Sequence, residues 1–96
     1  MFLLINPDST FELVEDPTTE EITKNIRIRR VLSLNHLESG AMLVVDANAT
    51  PASPINEVAS QLVYPSCVRG KALIYADKLA RDLWEGYLHN AGECNV

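Results

Sequence analysis

The chain has 96 residues, 47% of them hydrophobic and 22% charged, with a net charge of -5. One domain is expected at this length, apolar enough to bury a core and too apolar to remain disordered. The net acidity works against non-specific binding to nucleic acid or to an anionic membrane.

No segment reaches the roughly 18 apolar residues of a membrane span. The start, "MFLLINPDST", lacks the basic residues and the apolar length of a signal peptide. The expectation is therefore a cytoplasmic protein. Two cysteines, Cys67 and Cys94, fit that compartment, and their spacing does not decide whether they pair.

Residues 2–6 form an apolar run, Pro7-Asp8-Ser9-Thr10 carries turn chemistry, and residues 11–15 half alternate. This pattern predicts a hairpin. Residues 15–25 predict a short helix, with Thr18 or Thr19 as cap and Glu20 and Glu21 at the positive end of its dipole. In "IRIRRVLSL", Ile26, Ile28, Leu32 and Leu34 share one parity that only Arg30 breaks. That is a strand whose wet face carries Arg27 and Arg29. A single helix from Thr19 to about Leu37 is the alternative.

"NHLESG" is a turn, and "AMLVVDA" predicts a strand buried on both faces. "NATPASP" is a loop. Ser53 followed by Pro54 predicts the start of a helix running to about Tyr64, with Ile55, Val58, Ala59, Leu62 and Val63 on one face. Pro65 ends it. "KALIYA" is the last strand, and Asp77 is positioned to cap a final helix that stops near Gly92. The order β-β-α-β-β-α-β-α predicts a single α+β domain over residues 1–96, with a mixed sheet and a C-terminal amphipathic helix.

The last helix has a wide apolar face. At 100° per residue, Leu79, Leu83, Tyr87, Ala80, Trp84 and Leu88 sweep roughly 180°, where packing on one sheet needs about 100°. Either a second layer covers the excess, or Leu79, Leu83 and Tyr87 face the core while Trp84 and Leu88 face a partner. Trp is enriched at interface centres, and a second copy of the chain is one such partner.

Candidate chemistry is sparse. Val68-Arg69-Gly70-Lys71 invites comparison with a phosphate-binding loop. However, Pro65 stands where the first glycine belongs, Ala72 replaces the Ser or Thr, and the segment enters a strand rather than a helix. His36, His89, Cys67 and Cys94 show no zinc-type spacing. Cys67 beside His36 or His89 would make a nucleophile pair only through the fold. The expectation is no cofactor, no metal and no catalysis.

Charge is more informative. The first 21 residues carry Asp8, Glu12, Glu15, Asp16, Glu20 and Glu21 and no base, and Lys24, Arg27, Arg29 and Arg30 follow. The acidic group offers a surface to a basic partner. Arg27, Arg29 and Arg30, with Arg69 and Lys71, are candidates for binding a phosphorylated small molecule. Alternatively the two groups are solvated faces that pair with each other.

Three stretches carry a resemblance. "LLINPDSTFELVE", "LVVDANA" and "PINEVASQLVYPSCVRGKALIYAD" resemble the opening hairpin, central strand, helix and Val-x-Gly-x-Ala-Leu strand of DUF3846, a family of small phage- and plasmid-borne domains of unknown function. About two thirds of the chain is covered, and the residues after Ala76 have no counterpart. The resemblance implies a mobile-element origin and makes Gly70 a glycine of the fold. It assigns no functional residue.

The leading expectation is a non-catalytic phage or plasmid accessory protein that binds and inhibits a host protein, as anti-CRISPR inhibitors do. Its partner-binding residues would be Trp84, Leu88, Glu12, Glu15, Asp16, Glu20 and Glu21. A module that sequesters a small nucleotide signal at Arg27, Arg29, Arg30, Arg69 or Lys71 is the second expectation. A small enzyme is the third.

Overall fold

Two hairpins and one inserted strand make the sheet. The computed structural model describes residues 2–15, 26–27 and 29–94, with side-chain surroundings described through residue 89. The elements are β1 (Phe2–Ile5), β2 (Phe11–Val14), β3 (Arg29–Ser33), β4 (Met42–Asp46), α1 (Glu57–Leu62), β5 (Ala72–Tyr75) and α2 (Lys78–Cys94). The helix expected over residues 15–25 lies outside the described residues, apart from Glu15.

Short-range chemistry closes both hairpins. Between β1 and β2, the Asn6 N–H donates to the Thr10 carbonyl at 2.9 Å and the Ser9 N–H to the Asn6 carbonyl at 3.0 Å. The Asp8 carboxylate accepts from the Thr10 hydroxyl and N–H at 2.6 and 3.0 Å. Between β3 and β4, the turn needs Gly40 at φ +80°, and its N–H goes to the Asn35 side chain at 2.9 Å. A side chain at that φ would be strained.

The strand order is β2-β1-β5-β4-β3, and every pairing is antiparallel. The mixed sheet expected from the element order is therefore not formed. The reason lies in the connection over residues 47–71. It leaves β4 and returns at the same end of the sheet, where Val45 is opposite Ala72. No strand-to-strand crossover to the far end is made, and such a crossover is what a parallel pair requires.

The main core lies on the face of the sheet that carries the helices. There Leu3, Ile5, Leu43, Val45, Ala72 and Ile74 are buried against Ala59 of α1 and Ala80 of α2. The small side chains at 59, 72, 76 and 80 bring helix and sheet backbones close. Each buried leucine or isoleucine contributes about 1.5–3 kcal/mol. The opposite face has a smaller cluster, Leu4, Leu73 and Ile26, flanked by half-buried Phe2, Val14 and Val44.

β5 is buried on both faces, since Ala72, Leu73 and Ile74 are all at most 4% exposed. β4 is not: Leu43 and Val45 are buried, but Met42 is 40% exposed and Val44 half-buried. The middle position in the sheet belongs to β5, and β4 is fully covered from one side only. In the next strand out, residues 29–33 pair with β4, which excludes a continuous helix reaching Leu37. The expected parity also breaks. Leu34 joins the helix-side core while Ile26 is buried on the opposite face, and Arg29, Arg30 and Val31 are all exposed on this edge strand.

α1 begins later than Ser53-Pro54 suggests, and its N-cap is Asn56. Residues 53–55 are held elsewhere. The Ser53 N–H bonds the Thr50 carbonyl at 2.9 Å, the Pro54 carbonyl accepts from the Gly70 N–H at 2.9 Å, and Ile55 bridges to Arg69. The helix ends at Leu62, just short of the expected Tyr64.

α2 is capped from a distance. The Glu38 carboxylate, in the β3–β4 turn, accepts from the N–H groups of Asp77 at 2.9 Å, Lys78 at 3.1 Å and Leu79 at 3.0 Å. Asp77, the expected cap, gives its own N–H to this carboxylate. Three donors that a helix start leaves unsatisfied are thereby met, and the negative charge sits at the positive end of the helix dipole.

Candidate functional site

Three surface regions emerge from this frame: an arginine-lined cleft, an aromatic groove and the two edges of the sheet.

The cleft forms where β3, β4 and the turn before β5 meet. It has a volume of about 200 Å³, with buried Val45 and Val68 among its lining residues, together with Arg30, Asp46, Cys67 and Arg69. Arg30 reaches it because the β3–β4 register sets it opposite Val45 on the helix-side face. Arg69 reaches it because the turn over residues 66–70 is pinned. Ser60 Oγ accepts from the Val68 N–H at 2.8 Å, and Gly70 adopts φ +80° to redirect the chain into β5. Arg69 Nη1 donates to the Ser53 carbonyl at 2.9 Å, which fixes the plane of that guanidinium. Asp46 Oδ1 accepts from the Asn48 N–H at 2.9 Å and is partly committed to its own turn. Cys67 is a free, exposed thiol, 4.0 Å from Ser60 Oγ.

Behind the cleft lies a polar residue that sequence reasoning missed. Asn56 is fully buried. Its Oδ1 accepts from the Ala59 N–H at 3.1 Å, and its Nδ2 donates to the carbonyls of Ile5 and Gly70, each at 2.9 Å. One side chain thus ties β1, the start of α1 and the turn before β5 together. Asn followed by Glu is itself an N-cap signature, but Ser53-Pro54 competed with it three residues earlier.

The aromatic groove lies on the other side of α1 and measures about 370 Å³. Phe11 and Tyr87 stack in it with centroids 5.1 Å apart, beside Leu83, Gln61 and Asp82. Trp84 is 5.7 Å from Tyr87 and packs half-buried against the main core. The expected division of α2 therefore changes: Trp84 joins Leu79 and Leu83 on the core side, and Leu88, half exposed, is left facing outward. The second-layer alternative is the better account of Trp84.

The two edges carry opposite charge. β2 exposes Glu12 and Leu13, with Glu15 just beyond. β3 exposes Arg29, Arg30 and Val31, with Arg27 just before. Neither Glu12 nor Glu15 pairs with Arg29 or Arg30. β2 and β3 are the outermost of five strands, about 19 Å apart at about 4.8 Å per step. The reading in which the acidic and basic groups neutralise each other is thus overturned for these residues. Asp16, Glu20 and Glu21 lie outside the described residues. Lys71 is exposed and does not line the cleft.

Two carboxylates titrate below their ordinary range. Hydrogen bonds from the Thr10 hydroxyl and N–H lower Asp8, and the N–H groups of Leu79 and Lys78 lower Glu38. Both are engaged in holding backbone. His36 and His89 are exposed, and among the described residues no group of three His, Cys, Asp or Glu side chains is placed to hold a metal ion. No described helix is long and apolar enough to cross a membrane. No protein-family model, curated protein or solved structure matches the chain.

Proposed function

We propose that the chain is a non-catalytic interaction protein of the cytoplasm that binds and blocks a protein of its host cell. This is the role of a phage or plasmid accessory factor such as an anti-CRISPR inhibitor. The observation that carries the reading is the outer edge of β2. Among the described residues it ends the sheet, with Glu12, Leu13 and Glu15 exposed. An open strand edge takes up a partner segment through main-chain hydrogen bonds. Carboxylates beside it favour a basic partner and accelerate encounter with one.

The neighbouring acidic residues Asp16, Glu20 and Glu21 extend the same charge in sequence. Leu88 supplies a second apolar contact on α2, for the host protein or for a second copy of the chain. The resemblance to DUF3846 supports a mobile-element origin. The two carboxylates with shifted titration, Asp8 and Glu38, are spent on the backbone and offer no acid–base group to a substrate.

The test is recovery of partners by the tagged full chain from a nuclease-treated bacterial lysate at low and high salt. One stoichiometric, basic partner is expected at low salt, weakened at high salt and lost when Glu12 and Glu15 are both replaced by lysine. Recovery of nothing stoichiometric, or of a partner indifferent to those substitutions, overturns the reading.

A further inference from the structure

We infer that the Arg30–Arg69 cleft is an anion-binding site for the phosphate group of a small phosphomonoester, separate from the β2 edge. Three observations converge on it. First, two arginines from distant parts of the chain line one concavity, Arg30 from an edge strand and Arg69 from the turn before β5. Two arginines against one carboxylate, Asp46, leave the cleft with a positive balance.

Second, the two arginines are prepared differently. Arg69 is half-buried, and its Nη1 is already fixed on the Ser53 carbonyl, so its remaining N–H groups are held in one plane. Arg30 is exposed and makes no hydrogen bond or ion pair among the described residues, which leaves its fork uncommitted to any of them. A planar guanidinium matches phosphate oxygens in pairs, and a preoriented one loses less entropy on binding. Asp46 spends one oxygen on the Asn48 N–H, which reduces its competition for the arginines.

Third, size sets the ligand class. Pockets that enclose drug-sized ligands run from about 300 to 1,000 Å³, and this cleft has about 200 Å³. It accepts a phosphate head with its first few attached atoms, not an enclosed dinucleotide. The apolar lining of Val45, Val68, Ala47 and Ala49 suits a short carbon stem on the phosphate. Lys71 and Arg29 stand outside the cleft and are not part of the site.

The experiment is a titration of the full chain with phenyl phosphate, followed by amide NMR shifts, against sodium chloride at matched ionic strength. Saturable shifts confined to residues 45–49 and 67–70 and to Arg30 are expected. Arg30→Ala should weaken binding by about 10- to 100-fold while leaving the remaining spectrum folded. Arg30→Lys, which keeps the charge and loses the fork, should fall between the two. Shifts that never saturate, that scatter over Arg27 and Arg81, that chloride reproduces, or that survive Arg30→Ala overturn the site.

Discussion

Asn56 and Arg69 tie together the same two segments, the connection before α1 and the turn before β5. Asn56 does so from inside the protein. It is fully buried, and its oxygen and both its amide hydrogens are engaged. Arg69 does so from outside, spending one donor on Ser53 while lining the cleft it shares with Arg30. The lesson is about polar valence. Where polar groups hold the fold, every valence is filled. Where they are left open, they can recognise something else. Stability and recognition thus separate over a few residues of one turn.

The sharpest way to break this division is at Asn56. Asn56→Ala should cost about 3 kcal/mol, because it takes this partner from one buried carbonyl, one part-buried carbonyl and one buried N–H. Urea unfolding measures it. Asn56→Asp keeps the cap acceptor but loses both donors and sets a carboxylate against two carbonyls. A loss comparable to that of alanine would show that the stitch, more than the helix cap, supplies the stability. A cost below about 1 kcal/mol for both would break the comparison.

Gly70 stands between the two regions and comes next in size. A Cβ there meets nothing within 4 Å, so Gly70→Ala isolates the backbone cost of φ +80°. About 1 kcal/mol is expected. Binding of phenyl phosphate should weaken along with it, since Arg69 is the preceding residue.

Glu38 should have a smaller effect, and one that depends on pH. Its carboxyl is held below the ordinary glutamate value, chiefly by the Leu79 N–H and then by that of Lys78. A lowered folded value means the stabilisation is complete above about pH 4.5 and is lost as pH falls through the folded value. Glu38→Gln should therefore lower the melting temperature at neutral pH, with the gap to the parent closing on acidification. A gap that widens in acid would refute the assignment. Arg30→Ala should have the smallest effect on stability, within about 0.5 kcal/mol, although it is the variant expected to weaken phosphate binding most.

How legible all this was depends on the range of the interactions. The first hairpin could be read because its turn residues bond within five positions, as Asp8 and Thr10 do. The apolar run of β5 could be read because a middle strand is covered on both sides. Asn56 and Glu38 could not, because their partners are as far as 51 and 41 residues away, and no local pattern marks a turn glutamate as the cap of a distant helix. Helical spacing leaves Trp84 between a covering layer and a partner, because it cannot show that this side chain packs half-buried against the main core beside Tyr87. Of the candidate site, the arginines were visible as residue types. Which two of them converge is a matter of strand register.

The placement of β5 also has a consequence for biosynthesis. The two hairpins use contacts close in sequence and can form as they leave the ribosome, yet they do not touch each other in the sheet order. The strand that joins them is Ala72–Tyr75, pairing with β1 on one side and β4 on the other. Until it emerges, β1 and β4 each present an unpaired apolar edge, the kind of surface that draws nascent chains into aggregates. A chain stopped before residue 72 would be two hairpins without a sheet, and the last quarter of the sequence is what turns them into one cooperative unit.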